Sequence, residues 1–330
     1  MQALAVAVVV LCLAEVGVRA RSDALAEPQL WPSPEQTNKF EQIKTLASKG
    51  GASLIAIGSS AVDAAFDPSR LSPASVPTRP AYNAGTGAAS LTITTGWSEF
   101  EAIPRLKPDV VVLGVTSREL NPNDPEQPTF TRDFLTSRGF KFVRGNESTM
   151  QTVERRLENA SALFRYRTIL RQPQYAESLL GIGEVPRDDS YRTKANGQRA
   201  SYLAGHFDDT PLDAMKKHFS STALYKWKIG RGEQQTLSRL LKYLRAHVKH
   251  VLVVGMPVTP LYVEWSPGGQ SDIDAFNAEL QRQADGNGAQ FLDGGVWPTE
   301  YFADAGHVNA QGAARFTATL NAELQRLGWR

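Results

Sequence analysis

The segment Tyr301-Phe302-Ala303-Asp304-Ala305-Gly306-His307-Val308-Asn309 sets a carboxylate three residues before an imidazole. On a loop, this spacing lets Asp304 orient the His307 ring and support its positive form, as a serine hydrolase needs of its base. A matching nucleophile is available in Gly58-Ser59-Ser60, just past the apolar run Leu54-Ile55-Ala56-Ile57. A serine hydroxyl is a weak nucleophile until a base takes its proton. A tight turn after a strand exposes that oxygen and lets the serine N–H face a developing oxyanion. Taken alone, Gly-Ser-Ser reads as an ordinary turn or helix N-cap; its weight comes from the other segments.

Two more segments sit where strands end. In Tyr82-Asn83-Ala84-Gly85-Thr86-Gly87 a glycine can bring a backbone N–H close to a ligand. In Gly114-Val115-Thr116-Ser117-Arg118-Glu119-Leu120-Asn121 small polar side chains can donate hydrogen bonds, and Arg118 can hold an anionic group. Thr116 and Ser117 read equally well as caps of the next helix. Of the five histidines, His206 and His218 lie mid-chain, and His247 and His250 flank a helix end, where they complement its dipole. Only His307 has an aspartate at triad spacing near the carboxyl side of the sheet.

The elements that must position these residues follow from patterning. The runs at 54–57, 110–113 and 251–254 are short, apolar and closed by glycine, as buried parallel strands are. Gln290-Phe291-Leu292 and Pro80-Ala81-Tyr82-Asn83 are weaker strand candidates, the second at an edge because of its proline. Helical spacing at Phe40, Ile43, Leu46 and Ala47, at Leu237, Leu240, Leu241 and Leu244, and at Phe316, Leu320, Leu324 and Leu327 separates them. Strand alternating with helix implies a parallel sheet, with ligands bound beyond its carboxyl edge. Between Ser117 and His250 about 130 residues pass without a buried strand, more than a crossover needs. Residues 118–245 therefore read as a mostly helical insertion, with one helix through Val153, Leu157, Ala160, Leu163 and Phe164. The polar stretch 184–210 reads as a mobile loop. No internal repeat is visible.

Composition excludes some classes. A net charge of +2 gives no electrostatic case for nucleic acid, and one cysteine, Cys12, allows neither an internal disulfide nor a cysteine-rich zinc site. From Ala3 to Ala14 every residue is apolar, and Val18-Arg19-Ala20 resembles a signal-peptidase site, although no Lys or Arg precedes the run. Residues 1–20 read as a signal peptide or membrane anchor, the alternative being a buried helix of the fold. The residue before Cys12 is not small, so lipidation there is rejected. Residues 21–40, with Pro28, Pro32 and Pro34, read as a linker.

In this order the segments resemble the SGNH, or GDSL-like, hydrolase superfamily over residues 52–120 and 250–330. The family's Gly-Asp-Ser block corresponds to Gly58-Ser59-Ser60, its oxyanion glycine to Gly85, and its Asp-x-x-His block to Asp304 and His307. Its Gly-x-Asn block reads Gly114-Val115-Thr116 here, a departure at the third oxyanion donor, for which Thr116, Ser117 or Asn121 are candidates. Gly255-Met256-Pro257-Val258-Thr259-Pro260 and the carboxyl-terminal block also look similar to exported bacterial cell-envelope proteins linked to polysaccharide O-acetylation. The resemblance implies a flavodoxin-like three-layer α/β/α domain over 41–330. It implies a Ser60–His307–Asp304 triad, an oxyanion hole of Ser60, Gly85 and Thr116, and substrate contacts at Ser117, Arg118 and Asn121. It implies no metal or organic cofactor, no nucleic acid, and a small ester or acylated glycan as substrate. The location implied is periplasmic or extracellular, with a membrane tether through 1–20. An esterase and an O-acyltransferase both fit, and a silent glycan-binding or scaffold protein is the non-enzymatic alternative.

Overall fold

The computed structural model describes residues 2–22, 25, 28–71, 79–172, 175 and 192–329. The chain divides into two compact units, Pro32–Thr136 with Ser190–Arg330, and Met1–Trp31 with Ser137–Asp189. Of the stretch read as an insertion, 137–189 thus groups with the amino terminus and the remainder with the sheet.

The larger unit is built on five parallel strands: β1 (Leu54–Ile57), β2 (Ala81–Asn83), β3 (Val110–Val115), β4 (His250–Gly255) and β5 (Gln290–Asp293). Their order is β2-β1-β3-β4-β5, the flavodoxin-like order expected. Ile55 pairs with Tyr82 and Val111, Val112 with Leu252, and Val253 with Phe291. Every residue of β1 and β3 is buried, which is why these strands read as unbroken apolar runs. One face carries Leu54, Ala56, Val110, Val112, Leu252 and Val254, packed against Phe316, Leu320 and Leu324 of the helix Ala310–Arg326. The alternate residues Ile55, Val111 and Val253 are equally buried, and the helices Arg231–His247 and Gln270–Gly286 pack on β4. Helices therefore cover both faces, giving three layers. Burying each of Leu320 and Leu324 contributes roughly 1.5–3 kcal/mol. The chain order reverses at β1, so the carboxyl ends of β1 and β3 flank the crevice where ligands bind in such sheets.

Two expectations change. Helix α2 runs from Pro34 to Ser48, starting inside the stretch read as a linker. Ser33 caps it by accepting from the Gln36 N–H at 3.1 Å, and Pro34 occupies its first turn, where a missing N–H loses nothing. The polar stretch 192–210, read as a mobile loop, is tied to the sheet unit by hydrogen bonds. Thr193 and Arg199 form an antiparallel bridge, the Asn83 N–H donates to Asn196 O at 2.9 Å, and fully buried Gln198 donates to Ala64 O at 3.0 Å. Its polar residues are turn formers and structural donors. Residues 184–191 lie outside the described residues.

In the smaller unit, helix α1 (Gln2–Ala20) is long and apolar enough to cross a membrane by length and composition. Val18 is its buried residue, so it is not the buried helix of the fold that its apolarity also allowed. The single helix expected through Val153 and Phe164 is broken in two, Thr149–Ala160 and Ala162–Arg165, because Ser161 caps the second by accepting from Phe164 N at 3.2 Å.

Candidate active site

Ser60 opens helix α3 (Ser60–Ala65), immediately after β1. The turn that puts it there needs Gly58, whose φ is 146° and where a Cβ would lie 2.4 Å from Gly114 O. As the first helical residue, Ser60 has no intrahelical acceptor for its N–H. Its Oγ lies 2.7 Å from His307 Nε2. On the other side of the ring, Nδ1 lies 2.8 Å from Asp304 Oδ2 and 2.9 Å from Oδ1.

Asp304 also folds the loop that carries the histidine. Its Oδ1 accepts from Gly306 N at 2.8 Å and His307 N at 2.9 Å. Burial alone would raise its pKa, but the neighbouring His307 and these N–H groups outweigh burial and hold the carboxyl below its usual range. An ionised Asp304 fixes the Nδ1–H tautomer, leaving Nε2 to accept the Ser60 proton. Asn309 then caps the helix Ala310–Arg326 by accepting from Gln311 N and Gly312 N. The triad residues predicted from sequence are thus all brought together.

Tyr202 is a neighbour that no sequence pattern marks. Its ring stacks on His307, with centroids 4.3 Å apart and planes 6° apart. Burial pushes its hydroxyl up to about 12, so it stays neutral. The Arg199 guanidinium lies 4.8 Å from the Tyr202 ring centre, and its Nη1 donates to Glu35 Oε2 at 3.2 Å. Glu35 Oε1 accepts from Gly87 N at 2.8 Å, while Lys39 lies 2.5 Å from Asp63 and donates to Gly85 O. Glu35, Lys39 and Asp63 are fully buried. Burial raises the Asp63 pKa strongly, with the Glu35 charge adding to it and Lys39 opposing. These ions join α2, α3 and the loop after β2, and they hold the wall on which Tyr202 rests.

The expected oxyanion donors fare differently. The Gly85 N–H is already bonded to Asn83 Oδ1 at 3.0 Å, and its carbonyl accepts from Lys39, so Gly85 is a structural residue. Asn83 is fully committed as well, donating to the carbonyls of Val62, Asp63 and Phe66. Thr116 spends its N–H on Glu119 Oε2, and its hydroxyl donates to the same oxygen at 2.7 Å. It is a capping box, the alternative its spacing allowed. Ser117 is buried with its hydroxyl 2.8 Å from the Tyr262 hydroxyl, and Asn121 donates to Ala223 O and Tyr225 O. Neither lines the two cavities that hold Ser60 and His307. Arg118 does reach the cleft, anchored by Asp124 at 2.5 Å and Glu126 at 3.0 Å. Ala88 lines the same cleft as Ser60 and His307, in a left-handed conformation with φ 56°. Among the described residues its N–H meets no hydrogen-bonding partner.

Two adjoining cavities open on the triad. The larger, about 420 Å³, is walled by Phe130, Phe134, Arg118, Arg199, Tyr202 and His218. The smaller, about 190 Å³, runs from Ser60 toward Phe219, Ala223, Val258 and Tyr262. His218 borders both, a placement its mid-chain position did not reveal. The site can activate a hydroxyl nucleophile beside a small, largely apolar recess.

No protein-family profile and no curated protein matches the chain. Among solved structures it is similar to a catalytic mutant of an acetylxylan esterase from Geobacillus stearothermophilus, with a TM-score of 0.40 and 12% identity over 83% of this chain and 95% of the other. It is also similar to an acetyl xylan esterase from the rumen bacterium Butyrivibrio proteoclasticus, with a TM-score of 0.34 and 11% identity over 84% of this chain and 65% of the other.

Proposed function

We propose that the chain is an exported serine esterase that removes short O-acyl groups, acetyl above all, from a carbohydrate or another small ester. The observation that carries this reading is the relay from Ser60 Oγ through His307 to Asp304, with contacts of 2.7 and 2.8 Å. Ser60 attacks the ester carbonyl as His307 Nε2 takes its proton, and Asp304 supports the imidazolium. The N–H groups of Ser60 and Ala88 stabilise the tetrahedral oxyanion. His307 returns the proton to the departing alcohol, leaving an acyl-Ser60 that water resolves by the reverse sequence. The recess of about 190 Å³ favours a short acyl chain. The wider cleft, with aromatic Phe130 and Tyr202 and polar Arg118 and Arg199, suits the alcohol part, such as a sugar ring.

If a sugar hydroxyl displaces water in the second step, the same residues perform O-acyl transfer. The test is turnover of p-nitrophenyl acetate, butyrate and octanoate by the wild type and the folded variants Ser60→Ala and His307→Ala. A non-acetylated oligosaccharide is supplied as acceptor in parallel. Acetate release that falls at least about a thousandfold in both variants supports the esterase. Acetylated oligosaccharide as the main product replaces it with a transferase. Turnover equal in all three proteins rules the triad out and leaves a binding or scaffold role.

A further inference from the structure

The smaller unit carries an apolar surface that the chemistry at Ser60 does not use. Helix α1 is apolar on all sides and exposed along most of its length, with Leu4, Val6, Val10, Leu11 and Leu13 open to the surroundings. A helix hydrophobic all round belongs in a core or a membrane, and this one is not in a core.

Its two charged residues, Glu15 and Arg19, pair at 2.7 Å and grip the junction between the helices Thr149–Ala160 and Ala162–Arg165. Glu15 accepts from Ala162 N at 2.8 Å, Leu163 N at 2.9 Å and the Ser161 hydroxyl at 2.8 Å, taking up donors that open the second helix. Arg19 donates to Ala160 O at 2.9 Å, at the end of the first. Val18 packs with Leu25 and Tyr166. The foot of α1 is therefore an integral part of this unit. Removal after Ala20 would take away both caps and a core residue.

The helix locked to that foot is itself unusual. Thr149–Ala160 has no buried residue, yet Met150, Val153 and Leu157 recur at helical spacing and are all exposed, Met150 at 75%. The carboxylates around this stripe are neutralised: Glu147 by Arg155 at 3.0 Å, Glu158 by Arg138 at 2.9 Å, and Glu154 by Arg167. Arg156, beside Val153 on the helix, is exposed. An apolar stripe flanked by a cation and free of unpaired carboxylates suits the boundary between acyl chains and anionic headgroups.

We propose that α1 is retained in the mature protein and embedded in a lipid bilayer, and that the helix Thr149–Ala160 lies on the same bilayer through Met150, Val153 and Leu157. The unit is then a membrane platform, not a cleaved leader followed by a spacer.

Two measurements on the full chain test this. The first is the intact mass of protein extracted from bacterial membranes. The uncleaved 36.1 kDa chain is expected, and a species lacking residues 1–20 overturns retention. For the second, single spin labels are placed at Leu157→Cys or Asn159→Cys in a Cys12→Ala background, in phosphatidylethanolamine–phosphatidylglycerol vesicles. The label at position 157 should be more accessible to oxygen than to a nickel chelate, and the label on the opposite side, at 159, the reverse. Chelate access at 157 equal to that at 159 removes the bilayer contact. Shielding of 157 from both reagents replaces the bilayer with a protein surface. None of these outcomes depends on the chemistry at Ser60.

Discussion

Tyr202 lies flat on the imidazole of His307, 4.3 Å away and 6° from parallel, so the ring proposed as the base is held from its face as well as from its edge. Asp304 at Nδ1 and Ser60 at Nε2 hold the ring at two points, which leaves rotation about the line joining them open. The stack closes it. Tyr202→Ala should therefore lower kcat by roughly 10- to 100-fold, the scale of a small misplacement of a reacting group, with KM changed less. Tyr202→Phe keeps the ring and should retain most activity. Steady-state kinetics of the two variants checks this, and equal losses in both would point to the hydroxyl instead.

The buried ions behind that wall make a stability prediction. Lys39→Met leaves Asp63 and Glu35 buried with Arg199 as their remaining cation, and should destabilise by about 3–5 kcal/mol. Adding Asp63→Asn removes one of the stranded carboxyls and should recover part of the loss. Denaturant unfolding of the single and double variants measures the coupling.

Glu101 sets a pH dependence. Burial raises its pKa to about 7, against the opposing charge of Arg105, whose Nε lies 2.7 Å away. The folded state then binds a proton more tightly than the unfolded chain. This contribution favours folding fully below the ordinary glutamate range, near pH 4.5, and is lost as pH rises through about 7. The loss from this group amounts to roughly 3 kcal/mol. Glu101→Gln should flatten this part of the profile and gain stability relative to the wild type above pH 7. Urea midpoints from pH 4.5 to 8.5 test the sign.

Thr116 separates this site from the family pattern it resembles. Both its donors are spent on Glu119, so Thr116→Val should change kcat by less than about threefold while costing about 1 kcal/mol of stability as a lost cap. A kcat loss above about 100-fold, the scale of a missing oxyanion donor, would restore Thr116 to the oxyanion hole.

What the sequence made legible was local. Asp304 and His307 were readable because three residues of loop are enough to converge, and Ser60 because a glycine turn closes an apolar strand. The sheet was readable because strands buried on both faces leave unbroken apolar runs. Gly85 is a candidate by spacing, and a spacing rule cannot say which N–H is already bonded. Gly85 is satisfied by Asn83, whereas Ala88 carries no signal beyond its neighbours. Tyr202, Arg199 and His218 reach the site from a segment more than 100 residues away from Ser60, where no local pattern marks them. The same hydrogen-bond accounting finds Thr116, Ser117 and Asn121 already engaged within the fold.

The most direct test of the central claim is reaction with a fluorophosphonate, which bonds a serine oxygen activated by a neighbouring base and releases fluoride. One adduct per chain should form and map by peptide mass spectrometry to Ser60. Its rate should fall by at least about a hundredfold in His307→Gln, since a catalytic base contributes roughly 10² or more. An adduct at another residue, or a Ser60 adduct formed equally fast without His307, would contradict the account.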